Sequence, residues 1–198
     1  MYLVEEHTWL RKSSWNEKDE YYTPAILVDA IIPHIPKGSK VWCPFDTENS
    51  EFVIRLRDEG YDVIHSHIWE GKDFFEYEPK EYDCIISNPP FTKKLDVFKR
   101  LFDLGKPFAV VMGLPILNYQ VVGSFFIEHQ NAGRSLQLLI VDKKVSFDGN
   151  TASFNNSFFC HRLLEKDIMF AHLEHNNSNK NYTPSRMFQD VREMDVLG

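Results

Sequence analysis

The sequence predicts an α/β domain: a mostly parallel sheet with helices on both faces and an antiparallel hairpin towards its C-terminal end. Three observations predict it. Short, mainly apolar runs at residues 40–43, 61–64, 82–86 and 107–112 are bounded by turn residues, as expected of strands buried on both faces. Segments with apolar residues at helical spacing separate most of them, which is the pattern of a parallel sheet with crossover helices. Two later apolar runs, 136–141 and 157–161, are joined by a polar stretch too short for a crossover helix, so they pair antiparallel.

The elements follow in order. Residues 1–20 are polar and charged but carry Trp9 and Trp15, and form an N-terminal arm that two indoles could fold onto the body. Residues 21–173 make the main domain. Thr23 is the expected N-cap, and Pro24 the first-turn residue, of a helix over 25–35 with Ile26, Leu27, Ala30 and Ile31 on one face. Pro33 and Pro36 end it. The first strand closes at Pro44-Phe45-Asp46. A helix over 48–59 buries Phe52, Val53 and Leu56, and Gly60 stands just past its end. Residues 72–75 read as a short strand or a turn. Helices are expected at 95–104, before Gly105, and at 119–130. Residues 174–198 form a polar, low-complexity linker and a short tail, with a helix starting at Pro184.

Composition excludes several classes. An apolar content of 43% is that of a globular chain, and no run of about 18 apolar residues offers a transmembrane helix. The N-terminal residues Glu5 and Glu6 stand where a signal peptide needs lysine or arginine, so a cytoplasmic protein is expected. A net charge of −7 argues against coating nucleic acid over the whole surface, yet leaves room for a local basic groove. Cys43, Cys84 and Cys160 lie in or beside apolar runs without paired spacing, so they read as small hydrophobes rather than metal or redox groups.

Three polar turns follow expected strands, at residues 43–48, 65–70 and 87–91. All leave the sheet at its carboxyl edge, where open parallel sheets bind ligands. The third, Ser87-Asn88-Pro89-Pro90-Phe91, is the most informative. It presents a side-chain amide, a carbonyl without a competing N–H beside it, and a flat apolar ring, a set suited to a planar group with an exocyclic amine. The plain alternative is a strand-terminating turn, for which asparagine and proline are ordinary residues.

Taken together, Tyr22-Thr23-Pro24, Cys43-Pro44-Phe45-Asp46, Gly71-Lys72-Asp73-Phe74-Phe75 and Asn88-Pro89-Pro90-Phe91 resemble an S-adenosylmethionine-dependent adenine-N6 DNA methyltransferase. The chain is most similar to the small, single-domain enzymes of this kind from bacteriophages, over residues 21–159. The resemblance implies a Rossmann-like methyltransferase fold and S-adenosylmethionine as cofactor. It implies catalytic roles for Asn88, Pro89, Pro90 and Phe91: the Asn88 side-chain oxygen and the Pro89 carbonyl accept from the adenine amine, and Phe91 stacks on the ring. For the cofactor it implies Tyr22, Thr23, Pro24, Pro44, Phe45, Asp46, His65, Asp73, Phe74 and Asn88, with Asp46 meeting the methionine ammonium and Asp73 the cofactor's adenine amine.

Two places depart from that pattern. The turn after the first strand contains no glycine, and the second strand ends in His65-Ser66-His67, with Glu70 only further on, rather than directly in an acid. Asp46 could instead simply begin the following helix. His65 and His67 could be a metal pair, although no third ligand stands at fixed spacing; no metal is assigned. Lys93 and Lys94, near Lys99 and Arg100, and the pair Lys143 and Lys144 are candidates for phosphate contacts, or ordinary solvated charges. The expected partner is nucleic acid, DNA ahead of RNA, in a bacterial host cell if the chain is phage-encoded. Monomer and homodimer stay open. The alternatives are an RNA adenine, a protein glutamine amide, and a non-catalytic phage binding protein that keeps the fold.

Overall fold

A computed structural model describes residues 23–147 and 153–173. The expected arm, Tyr22 and the tail after residue 173 lie outside the described residues. The chain runs α1 (Ala25–Ile31), β1 (Lys40–Cys43), α2 (Glu51–Asp58), β2 (Asp62–His65), β3 (Cys84–Ser87), α3 (Lys94–Leu104), β4 (Phe108–Gly113), α4 (Gln120–Asn131), β5 (Gln137–Val141), β6 (Val145–Ser146), β7 (Ser153–Phe154), β8 (Asn156–His161) and β9 (Ile168–Ala171). Seven strands form one sheet in the order β2-β1-β3-β4-β8-β5-β9, and β6 and β7 make a separate two-stranded ribbon. The β2, β1, β3 and β4 strands are mutually parallel, while β8 is antiparallel to both β4 and β5.

Burial explains this layering. Alternate residues of the central strands enter two separate cores. Val41, Cys43, Ile86, Ala109, Val111 and Phe158 pack against Leu27, Ile31, Phe52 and Leu56, which come from α1 and α2. Trp42, Ile85, Phe108, Val110 and Phe159 pack on the other face against Phe98, Leu101 and Phe102 of α3 and Val122 of α4. Strands with both faces covered must be apolar throughout, which is why β1, β3 and β4 carry no alternating pattern. Cys43, Cys84 and Cys160 are free and buried, and burial pushes all three thiols up, to about 12 for Cys84. They are filler in these cores.

Several expectations need correction. Thr23 does not cap α1: Pro24 takes the N-cap position, without any side-chain cap, because its own carbonyl receives the Leu27 N–H at 2.9 Å. The helix stops at Ile31 and tightens into a 3₁₀ turn over Ile32–His34, which accommodates Pro33. Of the two forms expected for residues 72–75, strand or turn, the chain takes the turn, closed by the Asp73 carbonyl accepting from Tyr77 N–H at 2.7 Å. The antiparallel hairpin exists as β5 and β8, but β8 is inserted between β4 and β5, and β9 continues the sheet parallel to β5. β9 was not expected.

No α-helix crosses from β2 to β3. An aromatic cluster takes its place: Phe74, Tyr77 and Tyr82 lie 5.6, 6.3 and 5.0 Å from Trp42 between ring centroids, so the loop covers the sheet with rings.

The end of α2 shows how tightly sequence sets a boundary. Gly60, at φ 83°, follows the helix, with Gly60 N–H donating to Arg57 and Tyr61 N–H to Leu56, the double bond pattern of a glycine-terminated helix. Nothing lies within 4 Å of a Cβ added there, so only backbone strain opposes a side chain. Gly60→Ala is expected to cost about 1 kcal/mol, read as a lower urea midpoint with an unchanged denaturant slope.

Candidate active site

β1 is flanked by β2 on one side and β3 on the other, so the winding direction reverses between β1 and β3. In open parallel sheets such a reversal is where the ligand crevice lies, at the carboxyl edge. The turn after β1 supplies Pro44, Phe45 and Asp46 to one side. The end of β3 supplies Ser87, Asn88, Pro89 and Pro90 to the other.

The two sides are joined. Ser87 Oγ donates to the Asp46 carboxylate and accepts from the Phe45 N–H at 3.3 Å. Asp46 is 5% exposed. Burial pushes its carboxyl up to about 6, against the pull of hydrogen bonds from Ser87 and Ser50 and of His67 nearby. Asp46 does not begin α2, because that helix starts only at Glu51. The missing glycine also finds its reason here. Among the described residues the one non-glycine with positive φ is Arg162, so residues 44–50 turn without left-handed backbone and need no glycine.

Phe45 and Phe74 stand side by side, with ring centroids 4.7 Å apart. Phe74 is buried against Trp42 and Phe45 is half-buried, so Phe45 is the member of the pair that a ligand can reach. Asp73 is half-buried, and its Oδ1 accepts from Phe75 N–H at 3.0 Å. Thr23 is buried and Pro24 half-buried at the start of α1.

At the end of β2, His65 Nε2 lies 2.7 Å from Glu48 Oε2, and its Nδ1 lies 3.5 Å from Glu70. Arg57 holds the other oxygen of Glu48, and its hydrogen bond pulls the Glu48 carboxyl down. His67 is buried, and its Nδ1 accepts from Trp69 N–H at 3.3 Å. The two histidines thus serve different partners. Among the described residues no group of three or more His, Cys, Asp or Glu could hold a metal ion.

Asn88 is half-buried, with its side-chain oxygen out of contact with solvent; Pro89 is buried and Pro90 half-buried. Phe91 opens a 3₁₀ turn, Phe91–Lys93, and its ring lies outside the described atoms. Lys93 and Lys94 follow directly, half-buried, with Lys94 Nζ 6.0 Å above the Tyr119 ring. Lys99 and Arg100 instead face Asp96 and Glu78, at 3.7 and 3.8 Å. Lys143 and Lys144 follow β5, whose end lies on the crevice edge because β5 and β4 run the same way.

Two residues were given no role of their own from sequence. Ser87 had a signal, being a polar residue at the end of a buried strand beside Asn88. Trp69, 54% exposed on the 3₁₀ turn Ile68–Glu70, had the signal of a large aromatic in a polar turn.

No protein-family model matches the chain, and no curated protein matches it either. Solved structures do. The methyltransferase subunit of a type I restriction-modification system from Streptococcus thermophilus superposes with a TM-score of 0.51 at 11% identity, over 77% of this chain and 47% of that one. A chain of another type I restriction-modification system matches at 12% identity and TM-score 0.47, over 88% and 50%. A dimethyladenosine transferase from Plasmodium falciparum matches at 13% and 0.42, over 72% and 62%. The chain spans about half the length of the restriction-modification chains it matches. No helix among the described residues is long and apolar enough to cross a membrane. Sheet order, helix layers and the first of these superpositions together give the chain the Rossmann-like α/β fold of methyltransferases.

Proposed function

We propose that the chain transfers a methyl group from S-adenosylmethionine to the N6 amine of adenine in DNA. The observation that carries this reading is the buried acid Asp46 hydrogen-bonded to Ser87, the residue before Asn88-Pro89-Pro90-Phe91, across the crevice of a methyltransferase-type sheet.

The residues present suit the cofactor. Asp46 is ionised at neutral pH and matches an ammonium group. Phe45, backed by Phe74, gives an apolar wall, and Asp73, Thr23 and Pro24, with Tyr22, complete the proposed set. His65, with Glu48 and Glu70, rims the end of β2, where ribose hydroxyls need polar partners. The bound cofactor supplies an electrophilic methyl on a sulfonium.

On the substrate side, Asn88 and Pro89 offer two acceptors. Adenine's amine is a poor nucleophile because its lone pair is delocalised into the ring. Two acceptors on its N–H bonds favour the pyramidal nitrogen of the transition state, and that is where the binding energy counts. The amine's proton leaves after transfer, so no strong base is required. Pro90 has no N–H to compete, and Phe91 stacks on the base. A duplex adenine has to leave the helix to reach this crevice. Lys93, Lys94, Lys143 and Lys144 are the proposed phosphate contacts.

Labelled cofactor offered side by side to DNA, RNA and protein extract tests this. Label in DNA is the expected result. Label in RNA alone or protein alone would move the same chemistry to another amine, and no label with intact cofactor binding would favour a non-catalytic binder.

A further inference from the structure

We propose that Ser87 is a positioning residue that latches the cofactor-binding turn to the strand end leading into the catalytic turn, and so holds Asp46 in the pose and charge state that meet the cofactor. The inference rests on the proposed methyl transfer and assigns Ser87 a role within it.

The geometry is specific. Ser87 is fully buried at the last position of β3, on the strand that neighbours β1 at the winding reversal. Its hydroxyl has one proton, and that proton goes to Asp46. Its oxygen accepts from the Phe45 N–H. One side chain therefore ties two consecutive residues of the β1 turn to the residue that precedes Asn88. The bond to Asp46 is charge-assisted when the carboxylate is ionised, so it is strongest in the form that binds an ammonium. The other groups facing Asp46 are Ser50, from the start of α2, His67, from the turn after β2, and Cys43, at the end of β1. None of these leads into the catalytic turn. Only Ser87 does.

The test compares wild type, Ser87→Ala, Ser87→Cys, Asp46→Asn and the Ser87→Ala/Asp46→Asn double variant. S-adenosylmethionine binding is followed by calorimetry between pH 5 and 8, and the pH dependence of thermal unfolding without cofactor gives a second readout. Ser87→Ala is expected to weaken cofactor binding about tenfold at pH 7, the loss of one charge-assisted hydrogen bond. It should also move the acid limb of binding, and the matching inflection in unfolding, to higher pH. Ser87→Cys, which keeps the shape but donates weakly, should follow alanine. In the Asp46→Asn background, Ser87→Ala should add less than a twofold further loss, because coupled partners are not additive. An unmoved acid limb, or losses that add in full, would overturn the latch. A moved unfolding inflection with unchanged cofactor affinity would overturn it too, while leaving the cofactor reading intact. Failure of the wild-type protein to bind S-adenosylmethionine would overturn the functional reading itself.

Discussion

Asn88→Ala is expected to lower methyl transfer by about 10²–10³-fold or more, with a much smaller loss of S-adenosylmethionine affinity. The factor is that of removing one preorganised partner from a developing charge in a dry site. Asn88 ends a chain of constraint: buried β3 fixes Ser87, Ser87 is bonded to Asp46 and Phe45, and Pro89 and Pro90 restrict the backbone that follows. The side chain is therefore held rather than searching, and its loss should appear in kcat more than in substrate KM. Single-turnover transfer with calorimetry on the same preparation checks it. Activity within tenfold of wild type would remove Asn88 from its assigned role.

Asp46→Asn is expected to weaken cofactor binding by at least tenfold at pH 7 and, at the same pH, to stabilise the fold. The two effects share one cause. Folding raises the Asp46 carboxyl from 3.8 to about 6, so the buried ionised form is a burden of about 3 kcal/mol on the native state above pH 6. The native state holds its proton more tightly than the unfolded chain, so this group favours folding fully below about pH 4. That contribution is lost as pH rises through 6. Asparagine keeps the shape without the charge, and a gain of about 1–3 kcal/mol at pH 7 follows, less whatever its amide loses in hydrogen bonds. Thermal unfolding at pH 7 and pH 5 reads it: the variant should melt higher at pH 7, with the gap narrowing at pH 5, where wild-type Asp46 is largely protonated. A burden carried on an acid proposed to meet the cofactor is a common trade of stability for function. A variant that melts lower at pH 7, or that binds the cofactor normally, would contradict the role given to Asp46.

Much of the architecture was legible because it rests on local patterns. The apolar runs at β1, β3 and β4 announce strands buried on both faces, and Gly60 and Gly105 mark helix ends where the backbone turns left-handed. The misses are tertiary. Thr23-Pro24 reads as a cap followed by a first turn, yet the proline carbonyl closes the first turn and the threonine is left outside. β9 is a four-residue edge strand, Ile168–Ala171, preceded by Glu165, Lys166 and Asp167; Ile168 and Phe170 are exposed, so its burial pattern is weak. Phe74 and Phe75 left strand and turn open in sequence; their rings are recruited to the cluster around Trp42, and that contact selects the turn.

The candidate site divides the same way. Asn88-Pro89-Pro90-Phe91 stands out as a contiguous word. The Asp46–Ser87 bond joins residues 41 apart, and no sequence spacing encodes it. It exists because β1 and β3 are neighbours in the sheet although β2 lies between them in the chain. The absence of glycine after β1 looked like a defect in the cofactor cradle. With no left-handed residue in that turn, it is a different path rather than a missing one.

The central claim is that this crevice methylates adenine N6 in DNA. Its most direct measurement is to incubate the protein with DNA and methyl-labelled S-adenosylmethionine, digest the DNA to nucleosides, and separate them by chromatography. Label that co-elutes with N6-methyldeoxyadenosine, and that disappears with Asn88→Ala, is the expected result. Label on any other nucleoside, or none on DNA while S-adenosylmethionine binds, would contradict it.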